Sequence, residues 1–119
     1  MKRLLLVDDM KGVRDSLEVI LSPHYHVEVV KSARAALERV QGASYDLLIT
    51  DIIMPEMDGN ELMVEVRKRS SMRILAISAG GNGASASQAL MLASEQADGV
   101  LEKPFSKAEL LEKIEEMLS

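Results

Sequence analysis

Three aspartates and a lysine each stand at the end of a short apolar run in this chain. Asp8 and Asp9 follow Leu4-Leu5-Leu6-Val7, Asp51 follows Leu47-Leu48-Ile49-Thr50, and Lys103 follows Gly99-Val100-Leu101-Glu102. Short apolar runs bounded by turn formers read as strands buried on both faces, as in a parallel sheet. Pro55, Asp58 and Gly59 supply the turn signal after Asp51, and Pro104 supplies it after Lys103. These side chains are therefore expected at the carboxyl edge of one sheet, where open α/β sheets bind ligands. Three carboxylates gathered there repel one another unless a proton or a cation relieves them. Hard oxygen donors in a shallow, wet site suit Mg²⁺. Asp51, the central carboxylate, is the candidate nucleophile towards phosphorus and would form an aspartyl phosphate. Lys103 would balance phosphoryl charge as a point charge. Ser78 ends a fourth run, and its hydroxyl could donate to a phosphoryl oxygen. The plainer alternative makes Asp8 and Asp9 helix caps, Lys103 an exposed lysine and Ser78 a turn former. One Asp suffices for a cap, and the coincidence with Asp51 favours the site.

The rest of the chain reads as the frame for these residues. After the first strand, Val13, Leu17, Ile20 and Leu21 follow helical spacing up to Pro23. Tyr25, Val27 and Val29 alternate with His26 and Glu28, as in a half-exposed strand near an edge. Ser32 can cap a second helix with Ala33, Ala36, Leu37 and Val40 on its inner face, ended by Gly42. A third helix is expected over residues 60–69, burying Leu62 and Val66, and a fourth strand over Arg73–Ser78. A fourth helix, reaching about Gln96 and burying Ala86, Ala89, Leu90 and Ala93, follows a loop rich in glycine. Ser106-Lys107-Ala108-Glu109 is a capping box that opens a last helix presenting Leu110, Ile114, Met117 and Leu118. The period switches five times between strand and helix, which implies five βα units in a doubly wound α/β sandwich. A single domain spanning 1–119 is expected.

Composition narrows the function classes. The chain of 119 residues is 47% hydrophobic and contains no cysteine, which excludes a disulfide framework and thiolate chemistry. No apolar run approaches the roughly 20 residues of a membrane span, and Asp8 cuts the N-terminal run too short for a signal segment; a cytoplasmic protein with no membrane partner is the expectation. The net charge is −5, and the one basic cluster, Arg67-Lys68-Arg69, falls at a helix end, where cations favour the dipole. No nucleic-acid partner is expected. The eight methionines read as core filler. His24 and His26 lack neighbours at ligand spacing and receive no role.

Leu4-Leu5-Leu6-Val7-Asp8-Asp9, Asp51-Ile52-Ile53-Met54-Pro55-Glu56-Met57-Asp58-Gly59, Ser78-Ala79 and Lys103-Pro104-Phe105 together resemble the response-regulator receiver domains, the CheY-like family, over nearly the whole chain. The resemblance implies a flavodoxin-like fold of five parallel strands in the order 2-1-3-4-5. It implies that Asp51 accepts a phosphoryl group from a phosphohistidine on a sensor histidine kinase or histidine phosphotransfer protein. It further implies Mg²⁺ held by Asp8, Asp9, Asp51 and the backbone carbonyl of Ile53. Ser78 would then follow the phosphate and shift the face made by the fourth helix, fifth strand and last helix, where a downstream effector or output domain binds. A monomer or weak dimer is expected, either acting alone or joined to an output module.

Two departures from the family pattern stand out. Where the family carries Tyr or Phe three residues before the lysine, this chain has Val100, so no aromatic ring is available to swing inward. The loop after Ser78 is longer than the family norm and glycine-rich, and residues 80–87 are expected to be mobile and to order on phosphorylation or partner binding. Two other readings remain. Gly81-Asn82-Gly83-Ala84-Ser85-Ala86 fits a dinucleotide-binding pattern, but in the fourth βα unit rather than the first. A phosphatase with an aspartyl nucleophile, similar to the haloacid dehalogenase family, would need a second Asp where this chain has Ile53, which cannot move protons. Turnover is therefore expected to be slow and confined to self-dephosphorylation.

Overall fold

The computed structural model describes residues 1–52, 57, 59–78 and 96–119. Among these, β1 (Arg3–Val7), β2 (His26–Val30), β3 (Leu47–Asp51), β4 (Arg73–Ser78) and β5 (Gly99–Glu102) form one sheet, with helices α1 (Lys11–Leu21), α2 (Ala33–Gly42), α3 (Gly59–Arg69) and α4 (Lys107–Leu118). The strand order is β2-β1-β3-β4-β5 and every pairing is parallel. This is the expected flavodoxin-like order. The predicted fourth helix, the 80–87 loop and the Gly81–Ala86 pattern lie outside the described residues.

Alternation along the strands builds two cores. Leu5, Val7, Leu48, Ile74 and Ala76 face α2 and α3, where Ala33, Ala36, Leu62, Met63 and Val66 meet them. Leu4, Leu6, Leu47, Ile49, Leu75 and Ile77 face the other way, against Leu17, Leu21, Leu110 and Ile114 of α1 and α4. Fully burying one such aliphatic side chain contributes roughly 1.5–3 kcal/mol. These layers fix which face each residue at the strand ends presents.

The helix ends obey their local signals. Ser32 Oγ accepts from the Ala35 amide at 3.1 Å. At α4, Ser106 Oγ accepts from the Glu109 amide at 3.1 Å, and the Glu109 carboxylate accepts from the Ser106 amide at 3.2 Å, completing the predicted box. The N-cap of α1 is Met10, without a side-chain hydrogen bond; neither Asp8 nor Asp9 occupies that position.

An ion-pair network ties edge strand β2 to the amino edge of the sheet. Glu28 accepts from Arg3 Nη2 at 2.9 Å, from Arg39 Nη1 at 3.2 Å and from the Tyr45 hydroxyl. The Tyr45 hydrogen bond, with help from both arginines, holds the Glu28 carboxyl below its ordinary value of 4.5. A carboxylate with a lowered folded-state pKa stabilises the fold above its unfolded pKa, and that stability is lost as pH falls through the folded value. Glu28→Gln is therefore expected to lower unfolding free energy by on the order of 1 kcal/mol near pH 7. The gap to wild type should narrow towards pH 3. Urea titrations of both proteins at the two pH values check this.

Candidate functional site

Parity of the sheet brings the acidic residues and the lysine together. Leu6, Ile49 and Leu101 all belong to the layer beneath α1 and α4. Asp8, Asp51 and Lys103 each lie two residues further along, so period-two alternation sends their side chains to that same face, at the carboxyl edge. Because β1 and β3 are neighbours, with Val7 opposite Thr50, the carboxylates converge. One oxygen from each of Asp8, Asp9 and Asp51 can be chosen so that all three lie within 4.8 Å of one another. Lys103 Nζ lies 4.0 Å from Asp8 Oδ2. Ser78 ends β4 opposite Glu102, and its carbonyl accepts from the Lys103 amide at 2.8 Å. The Lys103–Pro104 peptide is cis.

Burial corrects one expectation. The sequence points to a shallow, wet site, yet Asp8 is 1% exposed, Asp51 7% and Ser78 6%; among the three carboxylates only Asp9 is exposed. Carboxylates this buried are costly without compensating hydrogen bonds and cations. Asp8 shows the compensation: its Oδ1 accepts from the Met10 amide at 2.9 Å, and its Oδ2 faces Lys103. The oxygen-only donor set, two members buried and one open to solvent, suits a small hard divalent cation such as Mg²⁺. Ile53, the fourth expected ligand, lies outside the described residues.

Three further residues support the site through contacts that the sequence does not mark. Arg14 Nη1 donates to the Asp8 carbonyl at 2.9 Å from the first turn of α1. Thr50 Oγ1 donates to the Asp51 carbonyl at 2.9 Å. Gly59 packs directly on Asp51: a Cβ built there would lie 2.1 Å from the Asp51 carbonyl oxygen. The sequence marks Gly59 as a turn former and as the last residue of the family-like stretch from Asp51, but not as a contact of Asp51.

The architecture defines a doubly wound α/β domain with an acidic cluster and a lysine at its carboxyl edge. Residues 4–115 match the response regulator receiver domain family, and the chain belongs to that family. It is 38% identical to the response regulator receiver protein CpdR of Brucella abortus, covering 99% of this chain and 98% of that protein. It is 33% identical to the transcriptional regulatory protein CpxR homolog of Haemophilus influenzae, across 99% of this chain but 51% of that protein. The chain thus spans about half the length of several curated relatives, and 12% of one. Among solved structures, the Vibrio cholerae chemotaxis protein CheY4 superposes with a TM-score of 0.85 at 31% identity, covering 99% of both chains. Among the described residues no helix is long and apolar enough to cross a membrane.

Proposed function

We propose that Asp51 is the phosphoacceptor of this receiver domain and takes its phosphoryl group from a phosphohistidine of a sensor histidine kinase or histidine phosphotransfer protein. The observation that carries the reading is the convergence of Asp8, Asp9 and Asp51 with Lys103 at the carboxyl ends of three different strands. In the step itself, an Asp51 carboxylate oxygen forms a bond to phosphorus as the P–N bond breaks, and the electron pair leaves on the imidazole nitrogen. Lys103 balances the charge gathering on the equatorial phosphoryl oxygens, and the Ser78 hydroxyl donates to one of them. Asp8, Asp9 and Asp51, with the Ile53 carbonyl, would hold Mg²⁺, whose charge shields the acceptor carboxylate from the incoming anion.

Output follows from this exchange of charge at the edge. With valine at position 100, half-buried against the α2 and α3 layer, no aromatic ring can swing, so loop and helix motion changes the face presented to an effector or output domain. The domain acts as a cytoplasmic signalling phosphoacceptor, with self-dephosphorylation its only turnover, as a monomer or weak dimer.

Incubation with acetyl phosphate and Mg²⁺, followed by intact-mass and peptide mapping, tests the reading. One phosphoryl group on Asp51, absent when the metal is chelated, is expected. Modification at another residue, or multiple-turnover hydrolysis of phosphate esters, would overturn it.

A further inference from the structure

Strand β5 is weakly secured for an element that carries a site residue. It is a four-residue edge strand on β4, with Gly99, Val100 and Leu101 half-buried and Glu102 exposed. Apolar burial therefore specifies its register weakly, and edge strands so held are prone to slip. A slip of one residue would shift Lys103 by about 3.3 Å and send it to the opposite face of the sheet.

One guanidinium opposes that slip from the far end of the strand. Arg67, near the end of α3, donates through Nε to the Gln96 carbonyl at 3.1 Å, through Nη1 to the Met72 carbonyl at 2.9 Å and through Nη2 to Asp98 Oδ2 at 2.5 Å. The same Asp98 oxygen accepts from the Ile74 amide at 2.8 Å, and the Asp98 amide donates to the Ile74 carbonyl at 2.9 Å. Arg67 thus joins the end of α3, the entry to β4 and the entry to β5 in one planar fork, a geometry lysine cannot reproduce. Its side chain is 30% exposed and that of Asp98 29%, so the pair is partly shielded from solvent screening. Burial raises the Asp98 carboxyl, but the Arg67 and Ile74 hydrogen bonds outweigh it and hold the group below its ordinary value. At the other end of β5 the Lys103 amide donates to Ser78, so the strand is pinned at both ends.

We propose that Arg67 and Asp98 form a positioning clamp that sets the register of β5 and so places Lys103 against the carboxylate cluster. The inference rests on the phosphoacceptor reading for Lys103 and Asp51. Neither clamp residue touches the site; both act through the strand. The basic cluster at the end of α3, read from sequence as three cations favouring the helix dipole, thus divides. Lys68 and Arg69 pair with Glu65 at 3.2 and 2.8 Å, while Arg67 reaches across to the sheet.

The test compares Arg67→Gln, Arg67→Lys and Asp98→Asn with Glu28→Gln, which lowers stability at the opposite edge strand without touching β5. Arg67→Gln is expected to slow acetyl phosphate modification of Asp51 about tenfold, since sub-ångström misplacement of a charge-balancing group costs rate. It should also lower hydrogen-exchange protection of the Lys103 amide about tenfold relative to the amides of β1. Arg67→Lys should recover part of both losses, and Glu28→Gln should leave both at wild-type values. If Arg67→Gln fails to fold, Arg67→Lys and Asp98→Asn carry the same comparison. Wild-type rate and wild-type Lys103 protection in these variants would overturn the clamp, as would equal slowing by Glu28→Gln. A wild-type protein unmodified at Asp51 would instead overturn the phosphoacceptor reading, while the exchange data still decide the clamp.

Discussion

Asp51→Asn is expected to accept no phosphoryl group and, in the absence of metal, to be more stable than wild type. The asparagine amide is uncharged and its oxygen is a far weaker nucleophile towards phosphorus than a carboxylate oxygen, so the acceptor is lost while the shape of the side chain is kept. The stability gain has a separate origin. Three carboxylates share a region within 4.8 Å, and a like-charge pair at that range repels by roughly 3–4 kcal/mol at an effective dielectric near 20. Lys103, 4.0 Å from Asp8, offsets part of this, leaving a net relief on the order of 1 kcal/mol when one charge is removed. Mg²⁺ should reverse the order. Wild type gains about 2.7 kcal/mol at a hundredfold excess over its dissociation constant, and the variant, with one anionic ligand fewer, gains less. Urea titrations with chelator and with Mg²⁺, run beside the modification assay, check both halves. An Asn variant modified as fast as wild type sinks the nucleophile assignment, and one less stable than wild type in chelator sinks the repulsion argument.

How much of this was legible follows from the range of each interaction. β4 occupies Arg73–Ser78 as expected, and the Ser32 cap and the Ser106–Glu109 box form as written, because such signals lie within one turn or one strand. The meeting of Asp8, Asp9 and Asp51 followed from a local period plus one topological rule. One boundary moved by a residue where the local signal is soft: α3 begins at Gly59 rather than at residue 60. The contacts of Arg14, Thr50 and Arg67 are not legible for a common reason. Each works through a hydrogen bond to a backbone carbonyl, and any residue type supplies a carbonyl, so no pattern of letters marks the acceptor. The depth of the site is not legible because strand-end position fixes the direction of a side chain, not its cover; Asp8 is 1% exposed and Asp51 7%.

Two glycine-to-alanine changes should move stability in opposite directions. Gly12 lies in α1 with open space where a Cβ would go, so Gly12→Ala should stabilise by about 0.5–1 kcal/mol through reduced backbone entropy in the unfolded chain. At Gly59 the same methyl group would stand 2.1 Å from the Asp51 carbonyl oxygen, 2.7 Å from Ile52 Cα and 3.0 Å from the Asp51 carbonyl carbon. All three are backbone atoms of a strand and its exit, and none can swing aside as a flexible side chain would. Its φ lies outside the left-handed region, so close approach and not backbone freedom demands the glycine. The Gly59 amide also donates to the Ile52 carbonyl at 2.7 Å, and pushing α3 away breaks that bond. Gly59→Ala is therefore expected to destabilise by about 2–3 kcal/mol. It should also slow modification of Asp51 by up to a hundredfold, because the carbonyl it displaces belongs to the acceptor residue itself. Denaturant titrations and modification rates for both variants provide the check. A Gly59→Ala protein with wild-type stability and rate would mean that α3 can shift freely over Asp51, and the acceptor would then be held by its own strand alone.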